Sequence, residues 1–372
     1  MAQISRRKFV GAAAGLAALA VASSAAAEPV ITPPGDGSKQ NPKGLNPTIV
    51  PPGSAVPQEK MPNNVLIVPP GDGIGYPVKA KIPAATSPQT WAVTAGVESP
   101  DMAVMGMAFY PKDIFVNVGD TVTWTIDSME FHTITFLKAG DSEPAFNPND
   151  PTQAKAAGGS TYDGHSYYNS GLLVSGQSYS LTFDTPGDFK YYCLVHLPMR
   201  GVVHVRPAGT PYPFGQAHYN WMAQNAMNED VRHGLALWEE AARYTTSGVL
   251  PLVAVGAGDG AAAVMRFIPG DLTVNTGDTV TFINLDSATP HTVVFGTLPT
   301  GTSDFAPYPS GVPGPQMAPV SYDGTGAVGS GYLGYDYPQG TTFRVTFTKA
   351  GTYNYVCTLH AEMKMVGTIT VV

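Results

Sequence analysis

The two cysteines of this 372-residue chain stand in the same local frame. Cys193 is followed by His196 and Met199; Cys357 is followed by His360, with Met363 and Met365 beyond. A second histidine lies upstream of each at matching places: His132, eight residues after Trp124, and His291, nine after Phe282. A soft thiolate, two imidazoles and a weak axial thioether form a copper electron-transfer set. Each donor type has its reason. The thiolate binds Cu(II) and Cu(I) and gives the electron a covalent path. Two imidazoles complete a trigonal plane, and the thioether tunes the potential through a long axial contact. The imidazoles should be fixed by hydrogen bonds to their remote nitrogens. Two plainer readings compete. One disulfide between Cys193 and Cys357 suits an oxidising compartment, but it leaves the paired histidines and methionines without a purpose. Zinc takes Cys and His but rarely methionine.

These donors sit in an internal repeat. Phe109 to Trp124 matches Phe267 to Phe282, Tyr162-Asp163-Gly164 matches Tyr322-Asp323-Gly324, and Pro186 to Cys193 matches Lys349 to Cys357. Each unit is far longer than a solenoid repeat, so this is a duplicated domain. Alternating β-formers (Val116, Val118, Val122, Trp124; Val274, Val280, Phe282) separated by Gly-Asp turns predict short strands. The predicted fold is all-β: two tandem Greek-key β-sandwich domains, at 89–207 and 251–372. Between them, at 208–250, a helical connector is expected. Met227, Val231, Leu235, Trp238 and Ala242 fall at helical spacing there, with Glu229 and Asp230 suited to a first turn. Residues 28–88 are rich in Pro and Gly and read as an extended arm or linker. Residues 1–27 read as an export signal: Ser5-Arg6-Arg7-Lys8-Phe9-Val10, an apolar run to Ala22, then Ala25-Ala26-Ala27. The paired Arg6 and Arg7 are similar to a twin-arginine signal.

Each repeat resembles a cupredoxin domain, the family of plastocyanin, amicyanin and pseudoazurin. Tyr191-Tyr192-Cys193-Leu194-Val195-His196-Leu197-Pro198-Met199-Arg200-Gly201 is similar to the short amicyanin-type ligand loop. The resemblance implies a type 1 (blue) copper site from His132, Cys193, His196 and Met199. In the second repeat it implies His291, Cys357 and His360. Met365 stands just before Val366-Gly367, as in the plastocyanin spacing, and is the expected axial ligand; Met363 has the spacing of the first repeat and is the alternative. Two type 1 copper ions per chain are thus expected. Electron exchange is expected at exposed edges of His196 and His360. Leu197 and Pro198 would form an apolar rim at the first, and Ala361, Glu362 and Lys364 a more polar one at the second. The segments 137–161 and 296–321 are longer than in single-domain relatives and suit a cover, an interface or a docking loop.

Composition narrows the function. Acidic residues outnumber basic ones 28 to 20, which argues against nucleic acid as a partner. Past the signal no segment is apolar enough to span a bilayer, so no membrane span is expected in the mature chain. The functional expectation is an exported, periplasmic or otherwise extracytoplasmic protein. It would pass single electrons between redox protein partners, with assembly into a homo-oligomer left open. Two fused domains also resemble copper nitrite reductases and two-domain oxidases, and a copper carrier is a further alternative. No His-x-His occurs, and four of the eight histidines are already assigned to type 1 sites, which excludes a trinuclear cluster by counting. His165, His204, His218 and His233 remain for any interface copper, and their spacing does not single them out.

Overall fold

The computed structural model describes residues 87–372 except 145, 148, 149, 197, 249, 303–306, 309–315 and 317. The expected export signal and all but the last two residues of the expected arm lie outside the described residues. The described residues belong to one compact unit.

The first repeat contributes β1 (Thr90–Glu98), β2 (Val104–Tyr110), β3 (Asp113–Asn117), β4 (Thr121–Ile126), β5 (Thr135–Phe136), a single helical turn α1 (Pro151–Ala154), β6 (Ala156–Ala157), β7 (Thr161–Tyr162), β8 (Tyr168–Ser170), β9 (Ser178–Phe183), β10 (Gly187–Tyr192) and β11 (Arg200–Arg206). After the long helix α2 (Gln216–Thr246), the second repeat follows with β12 (Leu252–Gly258), β13 (Ala262–Ile268), β14 (Asp271–Val274), β15 (Thr279–Asp286), β16 (Val294–Phe295), β17 (Pro307–Tyr308), β18 (Val320–Tyr322), β19 (Val328–Ser330), β20 (Thr342–Phe347), β21 (Gly351–Val356) and β22 (Val366–Val371). Each repeat owns a six-stranded sheet, ordered β3-β11-β10-β5-β8-β6 in the first and β14-β22-β21-β16-β19-β17 in the second. The opposing layer is one ten-stranded sheet common to both repeats, ordered β18-β20-β15-β12-β13-β2-β1-β4-β9-β7. The chain is therefore all-β, two tandem sandwiches with one long helix, as the alternating pattern predicts.

The repeats join edge to edge where β2 pairs antiparallel with β13, Gly106 opposite Ala262 and Met105 opposite Ala263. This pairing satisfies backbone groups that two separate sandwiches would leave exposed. The seam is covered from one side by α2, whose Trp238 and Ala241 pack with Val104, Ala254, Val264 and Ile268. Gly234 lets the helix approach closely, since a Cβ there would stand 2.2 Å from a Val104 methyl. On the helix, Glu229 and Asp230 are not in the first turn. The helix begins thirteen residues before Glu229, at Gln216, with no acidic residue in its first turn. Asp230 instead accepts the Tyr110 hydroxyl from β2. A methionine cluster fills another part of the seam: Met105, Met107, Met265 and Met363, with Met102 and Met129 against them.

Within each sandwich the core repeats itself. Tyr191, two residues before Cys193, packs in a tilted ring contact with Phe109 at 4.6 Å, and Tyr355, two before Cys357, likewise with Phe267 at 4.5 Å. Trp124 and Phe282 then pack edge-on to those tyrosines. Large aromatic rings wedged between the layers hold the cysteine-bearing strands rigidly in place.

Candidate metal centre

Each cysteine follows the last residue of a central strand, β10 or β21, so the sheet fixes its direction. The thiols are fully buried. His132 and His291 are placed by isolated bridges: each exchanges backbone hydrogen bonds with a partner leucine, Leu173 and Leu333. The ligand loops close on themselves. Cys193 N–H donates to Met199 C=O at 2.9 Å, and Cys357 N–H donates to Met365 C=O at 3.0 Å. The next residue after each upstream histidine ties the loops down: Leu194 N–H donates to Thr133 Oγ1 and Thr358 N–H to Thr292 Oγ1, both at 2.8 Å. The same threonines donate their backbone N–H toward sulfur, at 3.5 Å from Cys193 and 3.3 Å from Cys357.

Two convergent sets result, His132–Cys193–His196 and His291–Cys357–His360, all six residues buried. In the first set the Cys193 sulfur lies 3.7 Å from Nδ1 of both His132 and His196. In the second the Cys357 sulfur lies 3.4 Å from His360 Nδ1 and 4.0 Å from His291 Nδ1. Such separations admit one ion held by thiolate and imidazole at roughly 2.0–2.3 Å each, the lengths these donors adopt with zinc. The electrostatics agree. Burial alone would raise both thiols, but hydrogen bonds and charge from the paired histidines hold both well below the usual thiol range. Burial lowers His360, yet the Cys357 thiolate and Glu130 outweigh it and push the imidazole up to about 10. Sulfur is therefore ready as thiolate, the form that binds metal, and a bound cation would take the place of the imidazolium protons.

The axial candidates separate. Met199 belongs to the same buried core as Cys193, and Met365 to the same buried core as Cys357. Met363 belongs to the methionine cluster at the seam. The histidines outside these sets have partners of their own. His204 pairs with Asp188 at 2.7 Å and stacks on Phe115; His233 pairs with Asp259 at 2.7 Å; His218 stacks on Phe214; His165 contacts Asp163. Those histidines are not brought together with one another among the described residues.

The expectation of exposed imidazole edges is overturned. His196 is 3% exposed and His360 5%, because both face the seam between the repeats. Their remote nitrogens approach one buried carboxylate: His196 Nε2 is 3.7 Å from Glu130 Oε2, and His360 Nε2 is 3.2 Å from Glu130 Oε1. Burial pushes the Glu130 carboxyl up, but the charge and hydrogen bond of His360, with His196 behind it, outweigh burial and hold the carboxyl at about 2. The expected rims stay outside this contact: Pro198, Glu362 and Lys364 are exposed, and Leu197 lies outside the described residues.

Sequence reasoning missed several contributors. Glu130 stands out only once the repeats are docked. Ser128 Oγ meets His132 Nε2 at 2.9 Å, while Asp286 Oδ2 stands 4.0 Å from His291 Nε2. Gly96 and Gly256 sit at matching register shifts of β1 and β12, with φ of 73° and 77°. A Cβ would come within 2.6 Å of His132 Nε2 at Gly96 and within 2.3 Å of His291 Nε2 at Gly256. The two glycines align in sequence only across a two-residue gap, since Phe109 and Phe267 are 158 apart and Gly96 and Gly256 are 160 apart. A bulge is also not visible in a lone glycine.

Two thiolate–bis-imidazole sets, each with a buried thioether beside it at the end of a β-sandwich, define a type 1 copper protein with two sites. Comparison with known proteins gives the family. Residues 97–206 and 253–372 match the model for copper-binding proteins of the plastocyanin/azurin family. The chloroplastic plastocyanin of Oryza sativa subsp. indica is 37% identical over 119 residues, which is 32% of this chain and 61% of that protein. The plastocyanin of Solanum tuberosum is 33% identical over 119 residues, covering 97% of that protein and 32% of this chain. Among solved structures, a mutant amicyanin in the Cu(I) form is 22% identical, covering 32% of this chain and 82% of that one, with a TM-score of 0.21. A purple cupredoxin from Nitrosopumilus maritimus is 22% identical, covering 31% of this chain and 99% of that one, also with a TM-score of 0.21. The chain belongs to the plastocyanin/azurin family of copper-binding proteins, and copper is its metal.

Proposed function

We propose that this protein is an exported carrier with two type 1 copper centres, passing single electrons between extracytoplasmic redox proteins. The observation that carries it is the duplication of one complete, buried donor set in both repeats. We assign His132, Cys193, His196 and Met199 to the first site, and His291, Cys357, His360 and Met365 to the second. The backbone favours Met365 over Met363, since Cys357 pairs with Met365 as Cys193 pairs with Met199. Copper, when bound, supplies the one-electron couple. The chain supplies the rest: thiolates on sheet-fixed cysteines, imidazoles locked by bridges, and backbone N–H groups of Thr133 and Thr292 directed at sulfur. Donors held this firmly change little between oxidation states.

The assignment of residues 1–27 to an export signal, 28–88 to an arm, 89–207 and 251–372 to the two domains and 208–250 to the connector belongs to the same reading. Support for export is the sequence around Arg6 and Arg7. Among the described residues, no helix is long and apolar enough to cross a membrane. The partners are redox proteins, and they dock away from the His196 and His360 edges.

The deciding experiment is copper content per chain with visible and EPR spectra of the oxidised full-length protein. Two coppers with thiolate-to-copper absorption and only type 1 EPR signals support the reading. A third copper with a type 2 signal moves the protein to the nitrite reductase class. Ready loss of both coppers to a weak chelator moves it to a copper carrier.

A further inference from the structure

Glu130 has no counterpart in the second repeat. It stands two residues before His132, whereas the residue two before His291 is Thr289. One carboxylate therefore meets both ligand sets, one oxygen to each remote imidazole nitrogen, at 3.7 Å for His196 and 3.2 Å for His360. A buried carboxylate costs several kcal/mol unless it is paired. Here the groups that approach it are imidazoles whose other nitrogens face Cys193 and Cys357.

The loop leading into Glu130 is tied twice to β1. Asp127 N–H donates to Ala95 C=O at 3.0 Å, and Met129 N–H donates to Glu98 Oε2 at 2.8 Å. The second ligand loop is tied to the first repeat as well. Arg266 donates to Met363 C=O and to Asp101 C=O, both at 2.7 Å. The path from Cys193 through the His196 ring, the Glu130 carboxylate and the His360 ring to Cys357 lies in the protein interior throughout.

We propose that Glu130 is a bridging residue that couples the two copper sites, so that each site senses the charge of the other and one electron can pass between them inside the chain. This rests on the two-centre reading above. In that transfer one copper–thiolate set is oxidised and the other is reduced by the same electron. No bond forms or breaks, and no proton leaves.

The test is a double-mutant cycle on the full-length, copper-loaded protein. The midpoint potential of the second site is read by spectroelectrochemistry with and without Cys193→Ala, in the parent chain and together with Glu130→Gln. Emptying the first site should change the reduction equilibrium of the second by about fivefold or more in the parent, the lower end for linked sites. With Glu130→Gln that change should largely vanish. In the chain carrying Glu130→Gln alone, both midpoints should rise, because removing a nearby anion disfavours the more positive oxidised state. Glu130→Asp keeps the charge and should hold the midpoints nearer the parent values, which a purely structural role would not do. Equal coupling in the two backgrounds, or midpoints unmoved by Glu130→Gln, overturns the bridge while leaving two type 1 sites intact. Absence of a type 1 signal from either site of the parent chain overturns the two-centre reading, and the bridge with it.

Discussion

The two ligand loops solve one problem with different amounts of chain. In the first, five residues separate Cys193 from Met199, and Met199 N–H turns straight back to His196 C=O at 2.8 Å. In the second, seven residues separate Cys357 from Met365. The extra length is taken up by a 3₁₀ turn, Ala361–Met363, and by Lys364 in the left-handed region with φ of 65°. Both loops still deliver a methionine whose carbonyl accepts from the cysteine N–H. The added residues also do something the short loop cannot: they send Met363 into the methionine cluster at the seam. A second contrast lies at the upstream histidines, where a neutral hydroxyl, Ser128, faces His132 and a buried carboxylate, Asp286, faces His291. The donor sets are alike, and the groups around them differ in charge and in anchoring. The two sites should therefore bind the same metal at different potentials.

The largest expected effect comes from the cysteines. Cys193→Ser and Cys357→Ser should each remove one thiolate-to-copper band and leave the other, so that their spectra sum to the parent's. A variant that loses both bands would show that the sites do not form independently, and the comparison would fail at its base.

The methionines come next. Met363→Ala should leave the second site's EPR signal in place and lower stability by about 2–5 kcal/mol, by opening a cavity at the seam. Met365→Ala should change that EPR signal directly. A reversal of the two outcomes in EPR would make Met363 the axial ligand and remove the proposed likeness between the loops.

Gly96→Ala and Gly256→Ala test the bulges. Each puts a Cβ against a ligand imidazole in a left-handed backbone conformation, which costs about 1–3 kcal/mol before the histidine is displaced. Denaturant unfolding with copper retention should show a loss confined to the domain that carries the change. Wild-type copper retention in both would show that the imidazoles can yield.

The smallest effect should be electronic. Asp286→Asn should raise the second site's midpoint potential, since a buried carboxylate beside an imidazole favours the oxidised site. Ser128→Ala should move the first site's midpoint less. Equal shifts in redox titrations would put the difference between the sites elsewhere.

The candidate donor sets were legible because thiolate, imidazole and thioether at these spacings have few other uses, and because the pattern occurs twice. The β-sandwiches were legible because alternation of Val116, Val118, Val122 and Trp124 matches the period of a strand with one face buried. The helix was legible as a helix over about 216–244, but Glu229 and Asp230 were misplaced in its first turn. Its buried face, Tyr219, Ala223, Val231, Gly234, Trp238, Ala241 and Thr245, begins well before the apolar residues that catch the eye. A helix lying over strands of both repeats also buries small residues, Ala223, Gly234 and Ala241, that periodicity weighs lightly.

What the sequence determined by itself was the chemistry within each repeat, since local spacing along a strand–loop–strand unit places cysteine, histidine and methionine on one short loop. What only the tertiary structure decided was how the two repeats meet. The pairing of β2 with β13 turns the His196 and His360 edges inward onto Glu130, reversing the expectation that these edges face solvent. That outcome depends on contacts between residues 66 and 230 positions apart, from Glu130 to His196 and to His360. A sheet edge carries no mark in its own sequence that names the strand it will pair with, so the burial of those edges appears only when the second repeat is in place.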